Sequence, residues 1–455
     1  MSTRVWWLRR DLRVADHPAL LTAADGGAVV PLFVLDPALW AAAGAPRQAR
    51  LLASLRSLDA DLRDRYAVSL VVRVGSPLTV VPALATEVGA VAVHVTAETT
   101  PYGRRRDTAV RAALNAQGRE LVATGTAYAI GPGTVRTGGG TPYRVFTPFA
   151  RAWRALGAPG PAPAPSRLIG LRAVPSDDLP LVESSGVAAE GVVAGESAAR
   201  VRWEEFLRDG VADYGERRDR PDLDGTSRLS AALKFGEVHP RTLLADLARS
   251  PAAGSPGATT FVTELAWREF YADVLWHHPA SAWSDLRPMA GMVYDEPSAG
   301  FEAWRAGRTG FPFVDAGMRQ LAATGWMHNR VRMVTASFLV KDLHVWWPHG
   351  ARHFMALLAD GDLASNSHGW QWCAGTGTDA APYFRVFNPV GQGLRFDPDG
   401  AYVRRWVPEL AHLPGAAAHE PWRHPQGYAA GYPTRILDHA VERAEALRRY
   451  AATRT

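Results

Sequence analysis

Residues 360–389 read DGDLASNSHGWQWCAGTGTDAAPYFRVFNP, a short run that combines carboxylates, an amide, two indoles and glycine turns. If the segment is helical from Asp362 onward, Asp362, Asn366 and Trp370 recur every four residues and share one helix face. Trp372 lies two residues beyond Trp370, so its side chain points well away from that face. Such a mixture of charged, amide and aromatic side chains is unusual in an ordinary hydrophobic core. It predicts a helix that lines two adjoining cavities, one of which holds a large planar cofactor.

The chain around this segment is predicted to be helical from about residue 196 to its end, because apolar residues recur there with helical spacing and almost no strand signal appears. The clearest predicted helices span residues 199–207, 259–276, 314–321 and 331–339. We therefore expect an all-helical C-terminal domain over residues 196–455.

One predicted helix carries an unusual stripe. Glu264, Trp267, Arg268 and Tyr271 fall at offsets of zero, three, four and seven, which places them on one helix face. A core stripe would be aliphatic, whereas this one interleaves a carboxylate and a guanidinium with two aromatic rings. The pattern indicates a surface that stacks on bases and reads their edges. A packed helix whose polar groups form ion pairs is the alternative.

Two further segments repeat this polar and aromatic character. In TGWMHNRVRM at 324–333, Asn329 and Met333 are four residues apart on one helix face, and an asparagine can both donate to and accept from a pyrimidine edge. In GTSRLSAAL at 225–233, a turn precedes a helix start and offers hydroxyl and N–H groups to a phosphate. A plain helix N-cap explains Ser227 equally well.

The N-terminal part alternates short Val- and Leu-rich runs with helical patterns, which predicts an α/β doubly wound parallel-sheet domain over residues 1–125. The predicted strands are residues 5–8, 28–35, 68–74, 91–95 and 120–123, and the clearest helices are 48–65 and 104–117. The first βα turn lacks a G-x-G-x-x-G phosphate loop, so we place the main site in the helical domain. Residues 126–195, rich in Pro, Gly, Ala and Ser, read as an inter-domain linker.

The amino-acid composition and charge limit the classes of protein to which the chain can belong. The net charge of +5 and pI near 9.5 favour a polyanionic partner. Cys373 is the only cysteine, which excludes an internal disulfide and a Cys-rich metal site, and the histidines show no metal spacing. No signal-peptide or membrane-spanning run is evident, so we expect a cytoplasmic protein without a metal or membrane partner.

Six segments together resemble one family in order along nearly the whole chain: WWLRRDLRVADHPAL at 6–20, DGTSRLSAALKFGEVHPR at 224–241, ELAWREFY at 264–271, GWMHNRVRM at 325–333, SFLVKDLHVWW at 337–347 and the segment at 360–389. The family is that of the DNA photolyases and cryptochromes, and the resemblance is closest to the class I cyclobutane pyrimidine dimer (CPD) photolyases. It implies light-driven repair of a flipped-out dimer in damaged DNA, single- or double-stranded, by an electron from reduced FAD. It also suggests a monomer.

The resemblance implies a set of cofactor-binding residues: Tyr214, Thr226, Ser227, Arg228, Leu229, Ser230, Phe261, Arg332, Asp360, Asp362 and Asn366. Asn366 would face the flavin N5, where a neutral amide suits an anionic reduced ring. Arg332 is expected to pair with Asp360 and so to add positive potential beside that anion.

A second implied set binds the DNA and the lesion: Arg218, Glu264, Trp267, Arg268, Tyr271, Asn329, Arg330, Met333, Trp372 and Gln392. Glu264, Asn329, Met333 and Asn366 are the expected catalytic residues. Aromatic stacking at about 1 to 3 kcal/mol per base would offset a base-flipping cost of a few kcal/mol.

The chain departs from the family pattern at two places. The family passes electrons along three tryptophans; Trp370 and Trp347 match the first two, but Tyr294 stands at the third. We expect Tyr294 to be the terminal donor, with Trp346, Trp283 or Trp304 as alternatives that would divert the path. Where folate-binding members carry an Asn-Glu pair, this chain has Gly103-Arg104. The expected antenna is therefore an 8-hydroxy-deazaflavin rather than methenyltetrahydrofolate, or no antenna.

Other functions stay open at this point. A cryptochrome-type blue-light photoreceptor would use the same fold. A (6-4) photolyase would carry a histidine pair in residues 327–333, where this chain has only His328. A flavin-free module that binds single strands would use the same aromatic rings and arginines.

Overall fold

The computed structural model describes residues 2–171, 173–182, 192–378 and 384–453. The predicted linker at 126–195 and the segment at 360–389 each extend partly outside these described residues. The chain forms two compact units, and each is made from separated stretches of sequence. The first consists of Met1–Tyr143, Thr147–Ala212 and Ser227–Pro279, and the second of Arg144–Phe146, Asp213–Thr226 and Ala280–Thr455.

The first unit contains a parallel sheet of five strands, in the order β3-β2-β1-β4-β5. Its strands are β1 (Ser2–Leu8), β2 (Gly27–Leu35), β3 (Val71–Val74), β4 (Ala90–Ala97) and β5 (Glu120–Thr126). All five predicted strands are present, and the order is that of a doubly wound α/β domain. The predicted fold class is therefore confirmed for this part of the chain.

Burial on both faces explains why these strands are rich in Val and Leu. Along β1, Trp6 and Leu8 enter one apolar cluster while Val5 and Trp7 enter another, because alternate side chains of a strand point to opposite faces. Every residue of β2 is buried. Near-continuous apolar runs are typical of parallel sheets that helices cover on both sides.

The α-helices of the described residues are, in chain order, α1 (Pro18–Ala24), α2 (Pro37–Ala41), α3 (Ala45–Tyr66), α4 (Pro77–Glu87), α5 (Pro101–Asn115), α6 (Phe146–Leu156), α7 (Glu196–Asp209), α8 (Tyr214–Arg217), α9 (Ser230–Phe235), α10 (Pro240–Arg249), α11 (Pro256–His277), α12 (Ala299–Arg305), α13 (Pro312–Thr324), α14 (Asn329–Lys341), α15 (Trp347–Leu357), α16 (Leu363–Ala374), α17 (Pro389–Phe396), α18 (Ala401–Trp406) and α19 (His439–Ala452). Each predicted helix overlaps one of them. Beyond residue 196, no strand is found in the part of the chain that the structure describes.

The predicted linker is more ordered than its composition indicates. It contains α6, whose Phe149 is fully buried and packs on Phe270 at a ring distance of 5.0 Å. Further along, the backbone N–H of Asp177 donates to the carbonyl oxygen of Val72 at 2.9 Å. This stretch therefore covers the edge of the sheet at β3, where backbone groups would otherwise be exposed.

The loop that follows β1 is in close contact with the end of α9. The N–H of Leu12 donates to the carbonyl of Phe235 at 3.0 Å, and Arg13 donates to the carbonyl of Gly236 at 3.0 Å. Gly236 has a φ of +69°, and a Cβ there would lie 2.1 Å from the carbonyl oxygen of Arg10. Only glycine fits this close approach. The end of α9 therefore packs closely on the loop that follows β1.

The second unit is built of helices around one large apolar cluster that includes Trp304, Phe338, Trp347, Phe354 and Trp370. Among the helices of the described residues, none combines the length and the apolar character that crossing a bilayer requires.

Candidate functional site

Capping residues at both ends determine where α16 begins and ends. The carboxylate of Asp362 accepts a hydrogen bond from the N–H of Ser365 at 3.0 Å, which satisfies a free donor of the first turn. At the other end Gly375 adopts a φ of +88°, the left-handed conformation that ends many helices. The predicted helix is therefore confirmed, with Asp362 at its N-cap and Asn366 and Trp370 one and two turns further on.

A buried carboxylate lies just before this helix. Asp360 is 6% exposed, and its Oδ2 accepts from Nη2 of Arg332 at 2.8 Å, so the predicted Arg332–Asp360 pair is present. Nε of Arg332 donates to the carbonyl of Met327 at 2.7 Å, which fixes the guanidinium. Oδ1 of Asp360 is buried and has no hydrogen-bond partner among the described residues. A buried charged acceptor without a donor is costly, so this oxygen points to a bound group that donates to it.

Asn366 and Trp370 are held by α15. The side-chain amide of Asn366 donates through Nδ2 to the carbonyl of Ala351 at 3.0 Å, which leaves its Oδ1 as the acceptor that a ligand can reach. Trp370 is 2% exposed and packs edge-on against Phe354 at 4.9 Å. At Gly350 a Cβ would lie 2.2 Å from the Trp370 ring, so the absence of a side chain there makes room for the indole. Trp372, which the spacing is expected to point away from the face of Trp370, is half-buried.

On α14, the structure brings together three predicted residues. Nδ2 of Asn329 lies 3.9 Å from Sδ of Met333, and Nη1 of Arg330 lies 3.8 Å from the same sulfur. Asn329 is exposed, whereas Met333 is half-buried. Arg330 also pairs with Asp219, its Nη2 donating to Oδ2 at 2.9 Å. Asp219 was not among the predicted site residues, because an ion pair between positions so far apart in sequence leaves no spacing signal.

The predicted stripe of the first unit lies on α11. Glu264, Trp267, Arg268 and Tyr271 are all half-buried, while the residues on the opposite face of the helix are buried. The rings of Trp267 and Tyr271 are 5.3 Å apart. The stripe is therefore a partly accessible surface of two aromatic rings, packed at a tilt of 48°, with a carboxylate and a guanidinium beside them.

Two predicted residues of α11 are already engaged by the fold. Arg268 donates to the carbonyls of Leu233 at 3.0 Å and Ala127 at 3.3 Å, and its guanidinium lies 4.5 Å from the ring of Tyr128. Phe261 is 4% exposed and stacks on Trp203 at 5.3 Å. These contacts position α11.

The turn before α9 has a strained backbone. Arg228 has a φ of +52°, an uncommon conformation for a residue other than glycine. The N-cap of α9 is Leu229, without a side-chain cap, and Oγ of Ser227 accepts from the N–H of Leu229 at 3.4 Å. The alternative reading of Ser227 as the N-cap is therefore wrong. Ser230, at the helix start, is exposed.

Four predicted residues of the second unit lie apart from α14 and α16 in sequence. Tyr214, 9% exposed, has the guanidinium of Arg218 5.6 Å from its ring. Thr226 is half-buried in the turn before Ser227, and Gln392 is half-buried on α17.

The predicted electron-transfer residues differ sharply in their surroundings. Trp347 is fully buried, and its Nε1 donates to Oδ1 of Asp285 at 2.6 Å. Tyr294 is half-buried, and its hydroxyl has no hydrogen-bond partner in the described part of the chain. Burial, with a smaller contribution from the charge of Asp285, raises the pKa of this phenol. Asp285 was not predicted, because nothing in its sequence neighbourhood marks it as the acceptor for an indole.

Among the described residues there is no group of three or more His, Cys, Asp or Glu side chains that could hold a metal ion. The polar groups of α14 and α16 instead suit an organic ligand: a fixed guanidinium, a buried carboxylate oxygen without a donor, an oriented amide and an indole. Such a set fits a large cofactor that carries hydroxyl and N–H donors and a planar ring.

Comparison with known proteins agrees with this arrangement. Residues 4–166 match the family model described as DNA photolyase, and residues 261–452 match the model described as the FAD binding domain of DNA photolyase. A deoxyribodipyrimidine photo-lyase of Streptomyces griseus is 45% identical over 452 residues, which cover 98% of each chain.

Solved structures give the same result. A bacterial class III photolyase from Agrobacterium tumefaciens superposes with a TM-score of 0.92 at 34% identity, over 100% of this chain and 98% of that one. A cryptochrome from Synechocystis superposes with a TM-score of 0.89 at 27% identity, over 98% of each chain. The matching models and the whole-length relative establish that the chain belongs to the DNA photolyase and cryptochrome family.

Proposed function

We propose that the chain is a deoxyribodipyrimidine photo-lyase, a lyase that uses light to split cyclobutane pyrimidine dimers in damaged DNA. The observation that carries the proposal is the whole-length similarity to a relative of that activity. The free carboxylate oxygen and the oriented amide beside α16 support it, because they are groups that would hold FAD. When bound, FAD supplies the light-driven electron that opens the cyclobutane ring.

The residues of the second unit would bind and orient FAD. Asp360 accepts a hydrogen bond from the cofactor through its free Oδ1, while Arg332 holds the carboxylate in place and contributes positive charge. Asn366 offers Oδ1 toward the flavin ring, since its Nδ2 is taken by a backbone carbonyl. Tyr214 and Thr226, with residues 227–230 and Phe261 of the first unit, are the remaining proposed FAD residues.

The proposed lesion contacts divide between stacking and edge recognition. The indoles of Trp267 and Trp372 stack on the dimer, since both are half-buried and so keep ring surface accessible. Glu264 and Asn329 bind the carbonyl and N–H edges of the bases, and Met333 fills apolar space beside Asn329.

Proposed contacts to the DNA backbone or flanking bases come from the remaining members of the second set: Arg218, Arg268, Tyr271, Arg330 and Gln392. The arginines in this set are half-buried and supply positive charge that attracts phosphate oxygens. Because such contacts carry no sequence information, binding should be independent of sequence and sensitive to salt.

The antenna of the first unit is a separate proposal. Gly103, at the start of α5, packs against Glu98: a Cβ at Gly103 would lie 2.0 Å from Cγ of that side chain. Glu98 pairs with Arg10 at 3.0 Å and is held there. A larger residue at position 103, such as the one that folate-binding members carry, would have to displace Glu98. This supports an 8-hydroxy-deazaflavin, or no antenna, over methenyltetrahydrofolate.

We also propose three parts of the chain: an antenna domain at residues 1–125, a linker at 126–195 and a helical domain at 196–455. The protein is proposed to be a cytoplasmic monomer.

A cryptochrome-type photoreceptor is the second candidate, favoured by the structural match to the Synechocystis cryptochrome. One assay separates the two: an oligonucleotide that contains a thymine dimer is illuminated with the FAD-loaded protein after chemical reduction, and the absorbance of intact thymines is followed. Repair predicts a light-dependent rise that is absent in darkness and with undamaged DNA. A flat trace from protein that binds FAD would favour signalling.

A further inference from the structure

Trp346 offers Trp347 a direct connection toward the protein surface. The two rings are 6.5 Å apart at an interplanar angle of 68°. Both indoles direct Nε1 at the same oxygen, Oδ1 of Asp285, at 2.6 Å from Trp347 and 3.4 Å from Trp346. Trp347 is fully buried, whereas Trp346 and Asp285 are half-buried. The buried indole thus touches a partly exposed one, and a carboxylate serves both.

Tyr294 lacks the partner that oxidation of a phenol requires. A phenol that loses an electron becomes strongly acidic, so it is oxidised readily only where a base takes its proton. The hydroxyl of Tyr294 has no hydrogen-bond partner among the described residues. Asp285 influences this phenol through its charge alone, since its hydrogen bonds go to the two indoles.

The other two tryptophans near the path are also poorly suited. Trp304 contacts Trp370 at a ring distance of 6.1 Å, but it is fully buried and its Nε1 donates to the backbone carbonyl of Thr335. Its indole N–H is therefore bonded to a backbone carbonyl, which does not take up a proton as a carboxylate does. The guanidinium of Arg352 lies 5.2 Å from the ring of Trp283, and this cation opposes the loss of an electron from that indole.

We propose that Trp346, rather than Tyr294, is the terminal electron donor in photoreduction of the cofactor. The carboxylate of Asp285 accepts the proton that Trp346 loses. The inference rests on the proposed binding of FAD. Bound FAD in its oxidised form would supply the oxidant on absorbing light, and Trp370 would give up one electron to it. Trp347 then gives one electron to Trp370, and Trp346 gives one electron to Trp347.

The net change is the loss of one electron by Trp346, while its Nε1 proton passes to the carboxylate of Asp285. No other bond forms or breaks. A soluble thiolate then gives one electron to the Trp346 radical and becomes a thiyl radical, and the proton goes back from Asp285 to Nε1. The half-buried position of Trp346 is what makes it reachable by such a reductant.

The test uses the FAD-loaded protein with oxidised flavin, illuminated and followed by electron paramagnetic resonance and transient absorption. Trp346→Phe should lose the long-lived amino-acid radical. Tyr294→Phe and the matched control Trp283→Phe should keep it. The proposal is overturned if Trp346→Phe retains the radical, or if Tyr294→Phe abolishes it.

One further measurement needs no variant at all, and a conservative substitution tests the role of Asp285. In the wild-type protein, ring-deuterated tryptophan should narrow the radical spectrum and ring-deuterated tyrosine should leave it unchanged; the reverse result would overturn the proposal. Asp285→Asn should keep an acceptor for Trp347 but slow deprotonation of the tryptophan radical, and an unchanged rate would refute the role of Asp285. Repair by chemically reduced wild-type protein is measured separately, so failure of the proposed function would be recognised as such.

Discussion

Replacement of Asp360 by alanine tests the cofactor site at its most specific point. The side chain is 6% exposed, one oxygen pairs with Arg332 at 2.8 Å, and the other has no donor among the described residues. If FAD donates to that oxygen, the variant loses one hydrogen bond to a charged group, worth about 1.5 to 3 kcal/mol. Since about 1.4 kcal/mol changes affinity tenfold, FAD should bind roughly 10- to 100-fold more weakly.

The assay is titration of the FAD-free protein with FAD, followed by flavin fluorescence, with circular dichroism as the check on folding. Asp360→Asn keeps an acceptor oxygen without the charge and should fall between alanine and wild type. Glu302→Ala is the matched control, because Glu302 forms an exposed ion pair with Arg305 at 3.0 Å, and such pairs contribute little. If Asp360→Ala folds and binds FAD as tightly as the control, the free oxygen does not bind the cofactor and the reasoning is wrong.

Three further predictions follow from the packing and the proposed contacts. Gly350→Ala should cost about 1 to 3 kcal/mol in urea unfolding, because a Cβ would lie 2.2 Å from Trp370, whereas Gly369→Ala in open space should gain up to about 1 kcal/mol; equal midpoints for the two variants would contradict this packing. Glu264→Ala should slow repair while FAD stays bound, and unchanged turnover would remove Glu264 from the lesion site. Arg330→Ala should weaken DNA binding evenly across sequences and lower the salt slope of log K by about 1, so an unaltered slope would argue against a phosphate contact.

The sheet and the long helices could be predicted because their signals are local. β2 is buried along its whole length, and burial on both faces forces the apolar run that the sequence shows. Helix α16 could be predicted from Asp362 at its N-cap and from the glycine after its last turn. The stripe on α11 could also be predicted from residue spacing, because its four partly accessible residues share one helix face.

The remaining features depend on contacts between distant parts of the chain. Asp285 reaches Trp346 and Trp347 across about sixty positions, and no spacing rule connects a loop carboxylate with an indole. Helix α6 lies within a stretch rich in proline and glycine, and burial of Phe149 against Phe270 stabilises what local propensity does not indicate. The free oxygen of Asp360 could not be foreseen either, since only the folded chain shows which donors reach it.

Light absorbed by a flavin bound in this protein should split pyrimidine dimers. The sharpest experiment counts the dimers removed from a short DNA strand in a single flash, with the FAD-loaded, reduced protein in excess. We predict dimer loss in proportion to the bound flavin, and none with the FAD-free protein or without the flash. If protein loaded with reduced FAD binds the damaged strand and leaves every dimer intact, dimer splitting is not its activity.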